Sequence, residues 1–252
     1  MFEIRNGRLY QGECLEVMNN LPEHSVDMVL CDLPYGVTSC SWDSIIPFKE
    51  LWKAYQRVCK HDAAIVLTAV QPFTTALIAS NQRAYKHMWY WKKRRVTGFG
   101  LIKTQPLRCM EDIIVFSHGR PVYRPQGLVY APKVIKRTKK VGGQCYAGFK
   151  AHESYTREYT NYPRQMLIVK DDPKRFHPTQ KPVALFEYLI RTYSKDDAVI
   201  LDNCSGSGTT AIAAEAAGRQ WICIEQDAHY IDITRQRLAQ PIESLADSVT
   251  YS

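Results

Sequence analysis

Residues 198–225 constrain the fold of this chain most, because a strand, a glycine loop, a helix start and a second strand follow one another there without interruption. The apolar run Ala198-Val199-Ile200-Leu201 leads into Asp202-Asn203-Cys204-Ser205-Gly206-Ser207-Gly208-Thr209-Thr210 and then into an alanine-rich helix. Glycines in such a loop let a ligand approach the backbone closely, and the helix start offers N–H groups with no partner inside the helix. The next apolar run, Gln220-Trp221-Ile222-Cys223-Ile224, ends at Glu225, placed to accept hydrogen bonds from the two hydroxyls of a ribose. Gly206, Gly208 and Ala211 also satisfy a relaxed dinucleotide fingerprint. The loop therefore indicates an adenosine-type cofactor without choosing among such cofactors. A tight turn without any ligand explains the glycines, but not the acid that ends the following strand.

The same alternation runs along the whole chain. Strands are expected at Leu9–Gly12, Val26–Cys31, Ala63–Thr68, Tyr85–Trp91, Asp112–Ser117, Ala198–Leu201 and Gln220–Ile224. Helices are expected over roughly 14–21, 47–60, 72–81, 182–193, 209–217 and 228–239. Strands alternating with helices imply an α/β fold with a mostly parallel, doubly wound sheet. With 252 residues and 45% hydrophobic content, the chain can bury one substantial core, or a core plus a small lobe. Its apolar runs are strand-length, so no membrane span is expected, and the first residues lack the pattern of a secretory leader. The eight cysteines form no Cys-x-x-Cys pair, and several sit inside apolar strand patterns. A reducing cytoplasm is expected, without disulfides or structural zinc.

A second motif ends the strand at Val26–Cys31. Asp32-Leu33-Pro34-Tyr35-Gly36 puts an acid, a rigid turn and an aromatic ring at a strand's C-terminal end, where open α/β sheets place their chemistry. Turn residues of this kind also occur with no function. An exocyclic amine on a nucleobase is a weak nucleophile, because its lone pair is delocalised into the ring. A carboxylate and a backbone carbonyl accepting the two amine hydrogens would return electron density to it, while Tyr35 could stack on a base swung out of a duplex. A third motif, His177-Pro178-Thr179-Gln180-Lys181-Pro182, precedes an amphipathic segment with Leu185, Leu189 and Ile190 at helical spacing. On its own it is a rigid helix start.

The three motifs together, in this order, resemble the beta group of DNA amino-methyltransferases, over roughly residues 7 to 239. The resemblance implies S-adenosylmethionine as cofactor and a seven-stranded Rossmann-like sheet whose last pair is an antiparallel hairpin, consistent with the run from Trp89 to Phe116. It makes Asp32, Leu33, Pro34 and Tyr35 the catalytic motif. It assigns Asp202, Cys204, Gly206, Gly208, Thr209 and Glu225 to the cofactor, with Asp32 and, around its methionine end, Thr179, Gln180 and Lys181. Gly12-Glu13-Cys14-Leu15-Glu16 matches the segment that contacts the cofactor adenine, with Glu13 where Asp is usual. Leu33 replaces a proline, and the contact expected there is a backbone carbonyl, which any residue supplies. Asn203 and Cys204 replace the usual Pro-Phe.

Charge is concentrated between these motifs. The net charge is +8, and Gly119 to Phe176 holds 13 Lys or Arg against four Asp or Glu, so the remainder comes to about minus one. The segment carries Lys133, Lys136, Arg137, Lys139 and Lys140 among six tyrosines, a composition suited to phosphates, sugars and bases and equally to a solvated insertion. Lys92, Lys93, Arg94 and Arg95 form a second basic group, expected directly after a strand, where they could grip phosphate near a flipped base. The organisation expected is a catalytic half at 1–118, a basic target-recognition insertion at 119–176, a cofactor half at 177–240 and a weakly ordered tail from Pro241. The resulting expectation is a site-specific methyltransferase acting on N6 of adenine in double-stranded DNA, alone or as a homodimer, of the kind found in restriction-modification. Cytosine N4 is the near alternative, since Asp at the motif's first position leans to adenine only by resemblance. An NAD-dependent oxidoreductase would leave the Asp32 motif and the basic segment unexplained, and a catalytically silent DNA-binding subunit would leave Asp32, Tyr35 and the glycine loop without a use.

Overall fold

The computed structural model describes residues 1–36, 43–136, 154–245 and 248–251. Two compact units emerge, one of residues 1–124 with 164–252 and one of residues 125–163. The elements, in chain order, are β1 (Phe2–Ile4), β2 (Gly7–Gln11), α1 (Cys14–Asn19), β3 (Val26–Asp32), α2 (Phe48–Val58), β4 (Cys59–Ala69), α3 (Phe73–Ser80), β5 (Tyr85–Thr97), β6 (Arg108–Phe116), β7 (Val129–Lys136), β8 (Ser154–Thr160), β9 (Met166–Ile168), α4 (Val183–Tyr193), β10 (Val199–Asp202), α5 (Thr209–Ala217), β11 (Gln220–Glu225), α6 (Ala228–Leu238) and β12 (Thr250–Tyr251).

In the larger unit the sheet runs β1-β2-β11-β10-β3-β4-β6-β5-β9-β12. The expected seven strands form its continuous middle, and β1, β9 and β12 extend it to ten. From β2 to β4 all pairings are parallel, and β6 runs antiparallel between β4 and β5. Side chains alternate across a strand, so each central strand feeds two cores. Met28, Leu30, Val66 and Ile200 pack with residues of α4 and α5, whereas Val29, Cys31, Leu67 and Leu201 pack with residues of α2 and α3. The sheet is thus doubly wound, and the buried Cys31, Cys59 and Cys223 are small core side chains within it.

Two expectations need correction. Strand β5 does not stop at Trp91 but continues to Thr97, so Lys92–Arg95 lie inside a strand rather than after one. The chain beyond Pro241 is not loose throughout: the buried Glu187 carboxylate accepts from Ser244 Oγ at 2.6 Å and Leu245 N at 2.7 Å, and β12 pairs with β9. In the smaller unit β7 and β8 form an antiparallel hairpin, with Tyr130 edge-on to Tyr159 at 5.6 Å. The β7–β8 register shifts between Tyr130 and Lys133, next to Pro132, which has no N–H to donate to the ladder.

Strand order fixes where ligands gather. Strand β3 is followed in the chain by β4 on one side of it, whereas its other neighbour, β10, is followed by β11 on the opposite side. The order reverses between β3 and β10, and crevices for ligands open at such reversals beyond the strands' C-terminal ends. Asp32 closes β3 and Asp202 closes β10.

Candidate active site

A cleft of about 1260 Å³ opens at this reversal, lined by Glu13, Asp32, Tyr35, Lys181, Asp202 and Glu225 among others. It exceeds the ~300–1,000 Å³ of a usual single-ligand site, enough for two ligands together.

On one side of the cleft the glycine loop is held by its own acids. Asp202, buried at the end of β10, accepts from Thr210 Oγ1 on the first turn of α5 and from Cys204 N at 3.0 Å. Burial pushes its carboxyl up to about 6, against the opposing pull of those donors. Glu225 accepts from Gly206 N at 2.8 Å and Asp227 N at 2.9 Å, and burial raises it too. A carboxylate has about four acceptor positions, so Glu225 keeps capacity for a ligand. Gly208 has φ +78°, and a Cβ there would lie 2.4 Å from Thr234 Cγ2; only glycine fits. Glu13 caps α1 by accepting from Glu16 N at 2.8 Å. Burial raises its pKa, but the N–H donors of α1's first turn outweigh this and the net shift is downward. Where Pro-Phe is usual, the Asn203 carbonyl accepts from the buried Tyr55 hydroxyl at 2.6 Å, and Cys204 lines the cleft.

On the other side, at the end of β3, both carboxylate oxygens of Asp32 are engaged. Oδ2 accepts from Lys181 Nζ at 2.6 Å, and Oδ1 accepts from the hydroxyls of Tyr35 and Thr68. Thr68 is in register with Asp32 on the neighbouring β4, and its Oγ1 lies 2.9 Å from the Tyr35 hydroxyl. The Tyr35 ring packs on Phe73 at 5.2 Å, and Lys181 Nζ lies 5.6 Å from its centroid. Lys181 is buried and stands 3.4 Å from Glu111 Oε2, whose other oxygen holds Lys93 Nζ at 2.9 Å. Burial lowers the Lys181 ammonium, but Asp32 and Glu111 more than offset this and hold it above its usual range. The result is a chain of alternating charge, Lys93, Glu111, Lys181 and Asp32, along one wall of the cleft. Gln180 and Thr179 organise the approach: Gln180 bonds Phe176 N and Asp172, Asp172 caps α4 through Val183 N, and Thr179 N donates to His177. Leu33 and Pro34 also line the cleft.

The sequence motifs therefore meet in one cleft, although Asp32 and Lys181 are 149 residues apart. Thr68, Glu111 and Asp172 were not foreseen. The alternation Trp89, Trp91, Lys93 would have exposed Lys93, because it faces the same side of β5 as the two buried tryptophans. Of the basic residues, Lys92, Arg94 and Arg95 are exposed, Arg95 lying 3.7 Å from Asp171, while Lys93 is committed to Glu111. Lys133 is exposed on β7 and Lys136 ends that strand; Arg137, Lys139 and Lys140 lie outside the described residues.

A cleft at the sheet reversal with an acidic strand end on either side is where open α/β sheets take their ligands, and comparison with known proteins gives the class. The DNA methylase profile matches residues 26–236, so the chain belongs to the family of N6/N4 DNA methylases. It is 25% identical over 266 residues to the type II methyltransferase M2.MboI of Moraxella bovis, covering 92% of this chain and 88% of that one. Among solved structures it is similar to the M1.HpyAVI–SAM complex at TM-score 0.62 and 20% identity, covering 93% of this chain and all of that one. It is also similar to the cytosine-N4-specific PvuII DNA methyltransferase at TM-score 0.66 and 16% identity, covering 96% of each. The protein is a DNA methyltransferase of that family.

Proposed function

We propose that this enzyme methylates N6 of an adenine turned out of double-stranded DNA, as a site-specific enzyme of the restriction-modification type. The observation that carries the reading is Asp32 at the end of β3, held by Lys181, Tyr35 and Thr68 on the rim of the cofactor cleft. The cleft suits S-adenosylmethionine on its own chemistry. Gly208 leaves the loop no bulk where Thr234 closes in, the start of α5 is presented to the cleft, and Glu225 stands at the end of the adjoining strand with unused acceptor positions. Glu13, Cys14, Cys204, Gly206 and Thr209 complete the wall around the nucleoside, and Thr179, Gln180 and Lys181 the wall towards Asp32. When bound, the cofactor supplies an electrophilic methyl group on sulfur.

The chain's own work is to make a conjugated amine attack that carbon. Asp32 Oδ and a backbone carbonyl at Leu33 accept the two amine hydrogens, drawing the nitrogen lone pair out of the ring. Tyr35 lines the place where the extruded base stacks. The amine proton leaves as the new N–C bond forms, and a carboxylate already within reach receives it. Lys181 sets the direction of Asp32 and is displaced from Oδ2 when the amine arrives. Cytosine N4 offers the same conjugated amine, and the likeness to a cytosine-N4-specific fold keeps it the second reading.

Base-resolution sequencing of DNA from cells expressing the protein, with detection of both modified bases, tests the proposal. N6-methyladenine in one sequence context is expected. N4-methylcytosine instead would overturn the adenine assignment, and loss of neither mark in Asp32→Ala would remove Asp32 from the chemistry.

A further inference from the structure

The wall of the cleft formed by β5 and β6 continues past the last paired residues, Thr97 and Arg108, into a tip at residues 98–107. Trp91, Arg95, Val96, Thr97, Arg108 and Met110 of that wall line the same cleft as Asp32, so the tip stands at its rim. The tip is built rather than loose. Gly98 turns the chain with φ +93°, Phe99–Leu101 form a 3₁₀ turn, and Leu101 accepts at its carbonyl from Thr104 N at 2.9 Å and Gln105 N at 3.0 Å. What it presents is apolar: Phe99 is 64% exposed, Ile102 59%, Leu101 47% and Leu107 36%. A soluble protein concentrates side chains like these at a surface where something covers them.

The charge around the tip selects the partner. From Lys86 to Met110 there are seven Lys or Arg and no Asp or Glu, and with Lys93 on Glu111 and Arg95 beside Asp171 five of the seven, Lys86, Lys92, Arg94, Lys103 and Arg108, remain to set the charge of this face. A second copy of the chain, meeting this face by two-fold symmetry, would bring like charge against like charge, whereas a polyanion is attracted to it. Apolar side chains inside a basic rim are what a protein inserts between bases when a nucleotide leaves the stack.

We propose that the 98–107 tip is a wedge for duplex DNA: Phe99, Leu101 and Ile102 enter the base stack where the target base departs, while Lys92, Arg94, Lys103 and Arg108 hold the flanking phosphates. The proposal rests on the reading that the enzyme turns its base out of a duplex. It assigns the tip to a step before chemistry, the extrusion of the base, and gives it no contact with cofactor or with the amine.

Mismatched DNA isolates that step, because a base that is already unpaired costs little to extrude. The triple variant Phe99→Ser, Leu101→Ser, Ile102→Ser alters only exposed side chains and leaves the turn's backbone bonds in place. Methyl transfer is measured on two short duplexes carrying the sequence that the wild type methylates, one matched and one with a mismatch opposite the target base. The triple variant is expected to be slower than wild type by about tenfold or more on the matched duplex and within about threefold of it on the mismatched one. Equal loss on both duplexes, or no loss on either, overturns the wedge. So does a wild type that sediments as a dimer whose triple variant is a monomer, since the tip would then be an interface between copies. Methylation of the matched duplex by the wild type measures the underlying reading separately, so failure of one is not mistaken for failure of the other.

Discussion

Replacing Lys181 with Met removes the one cation that stands between two carboxylates. The ammonium is 2.6 Å from Asp32 and 3.4 Å from Glu111, with side-chain exposures of 6%, 22% and 12%. At an effective dielectric constant of about 20 these contacts carry gross attractions of about 6 and about 5 kcal/mol. Most of that is offset by the cost of taking the three groups out of water, and breaking such a set by deleting one partner costs about 3–5 kcal/mol. Methionine fills nearly the same volume, so a cavity adds little. Urea unfolding near neutral pH should therefore show a loss of about 3–5 kcal/mol. Adding Asp32→Asn to Lys181→Met removes one of the two stranded charges, so the double variant should be more stable than the sum of single effects by about 0.5–3 kcal/mol. The sign of the pH dependence follows from Lys181 being held above its ordinary value of 10.5: its stabilisation is fully present below that value and is lost only as pH rises past it. The loss should thus be the same at any pH from neutral to moderately alkaline. A destabilisation below about 1 kcal/mol, or strict additivity in the double variant, would refute the charge-chain account.

Glu225→Ala should weaken S-adenosylmethionine binding by about 1.5–3 kcal/mol in calorimetry, because a charge-assisted acceptor is lost, while NAD shows no binding to either protein; unchanged cofactor affinity would count against its assignment. Gly208→Ala should lower stability by about 1–3 kcal/mol through left-handed strain, and Thr234→Ala should restore only the part due to the 2.4 Å clash; an unaltered melting temperature would contradict this. Asp202, pushed from 3.8 to about 6, binds its proton more tightly when folded, so its contribution to stability falls as pH rises through that window. Asp202→Asn removes that fall, so its stability in urea unfolding should change more positively with rising pH between about 4 and about 6 than the wild type's does, and an identical slope in both proteins would show that Asp202 is not the group responsible.

Much of this was legible because it is local. The loop from Asp202 to Thr209 announces itself through two closely spaced glycines between a strand and a helix, and Asp32 through its place at the end of an apolar run. Element positions followed from periodicity, with ends displaced where pairing overrode pattern: β4 begins at Cys59, inside the helix expected over 47–60, and β5 runs six residues past Trp91 to Thr97 because β6 is there to pair with it. The β7–β8 hairpin was missed since Pro132 interrupts the apolar run of β7 and its large apolar side chains, Val129, Tyr130, Val134, Tyr155 and Tyr159, are exposed, so it is stabilised by cross-strand partners rather than by a buried face. Glu111 and Thr68 were illegible for a different reason. Thr68 matters only through its register with Asp32 on β3, and Glu111 only through the approach of Lys93 and Lys181, and both are set by the fold.

The position of β10 has a consequence for synthesis. It lies between β3 and β11, and β11 in turn adjoins β2, so two of the last strands made fill a gap between two of the first. Val199 meets Asp27 across 172 residues, a length that takes about 10–35 s to translate. Throughout that interval the edges of β2 and β3 stand unpaired, inviting association with other chains. Pairings of such separation also fold slowly. The nascent enzyme therefore carries a complete Asp32 motif for most of its synthesis without a site to use it. A chain divided between β6 and α4 would yield two fragments, neither able to close its sheet alone, and each the missing middle of the other.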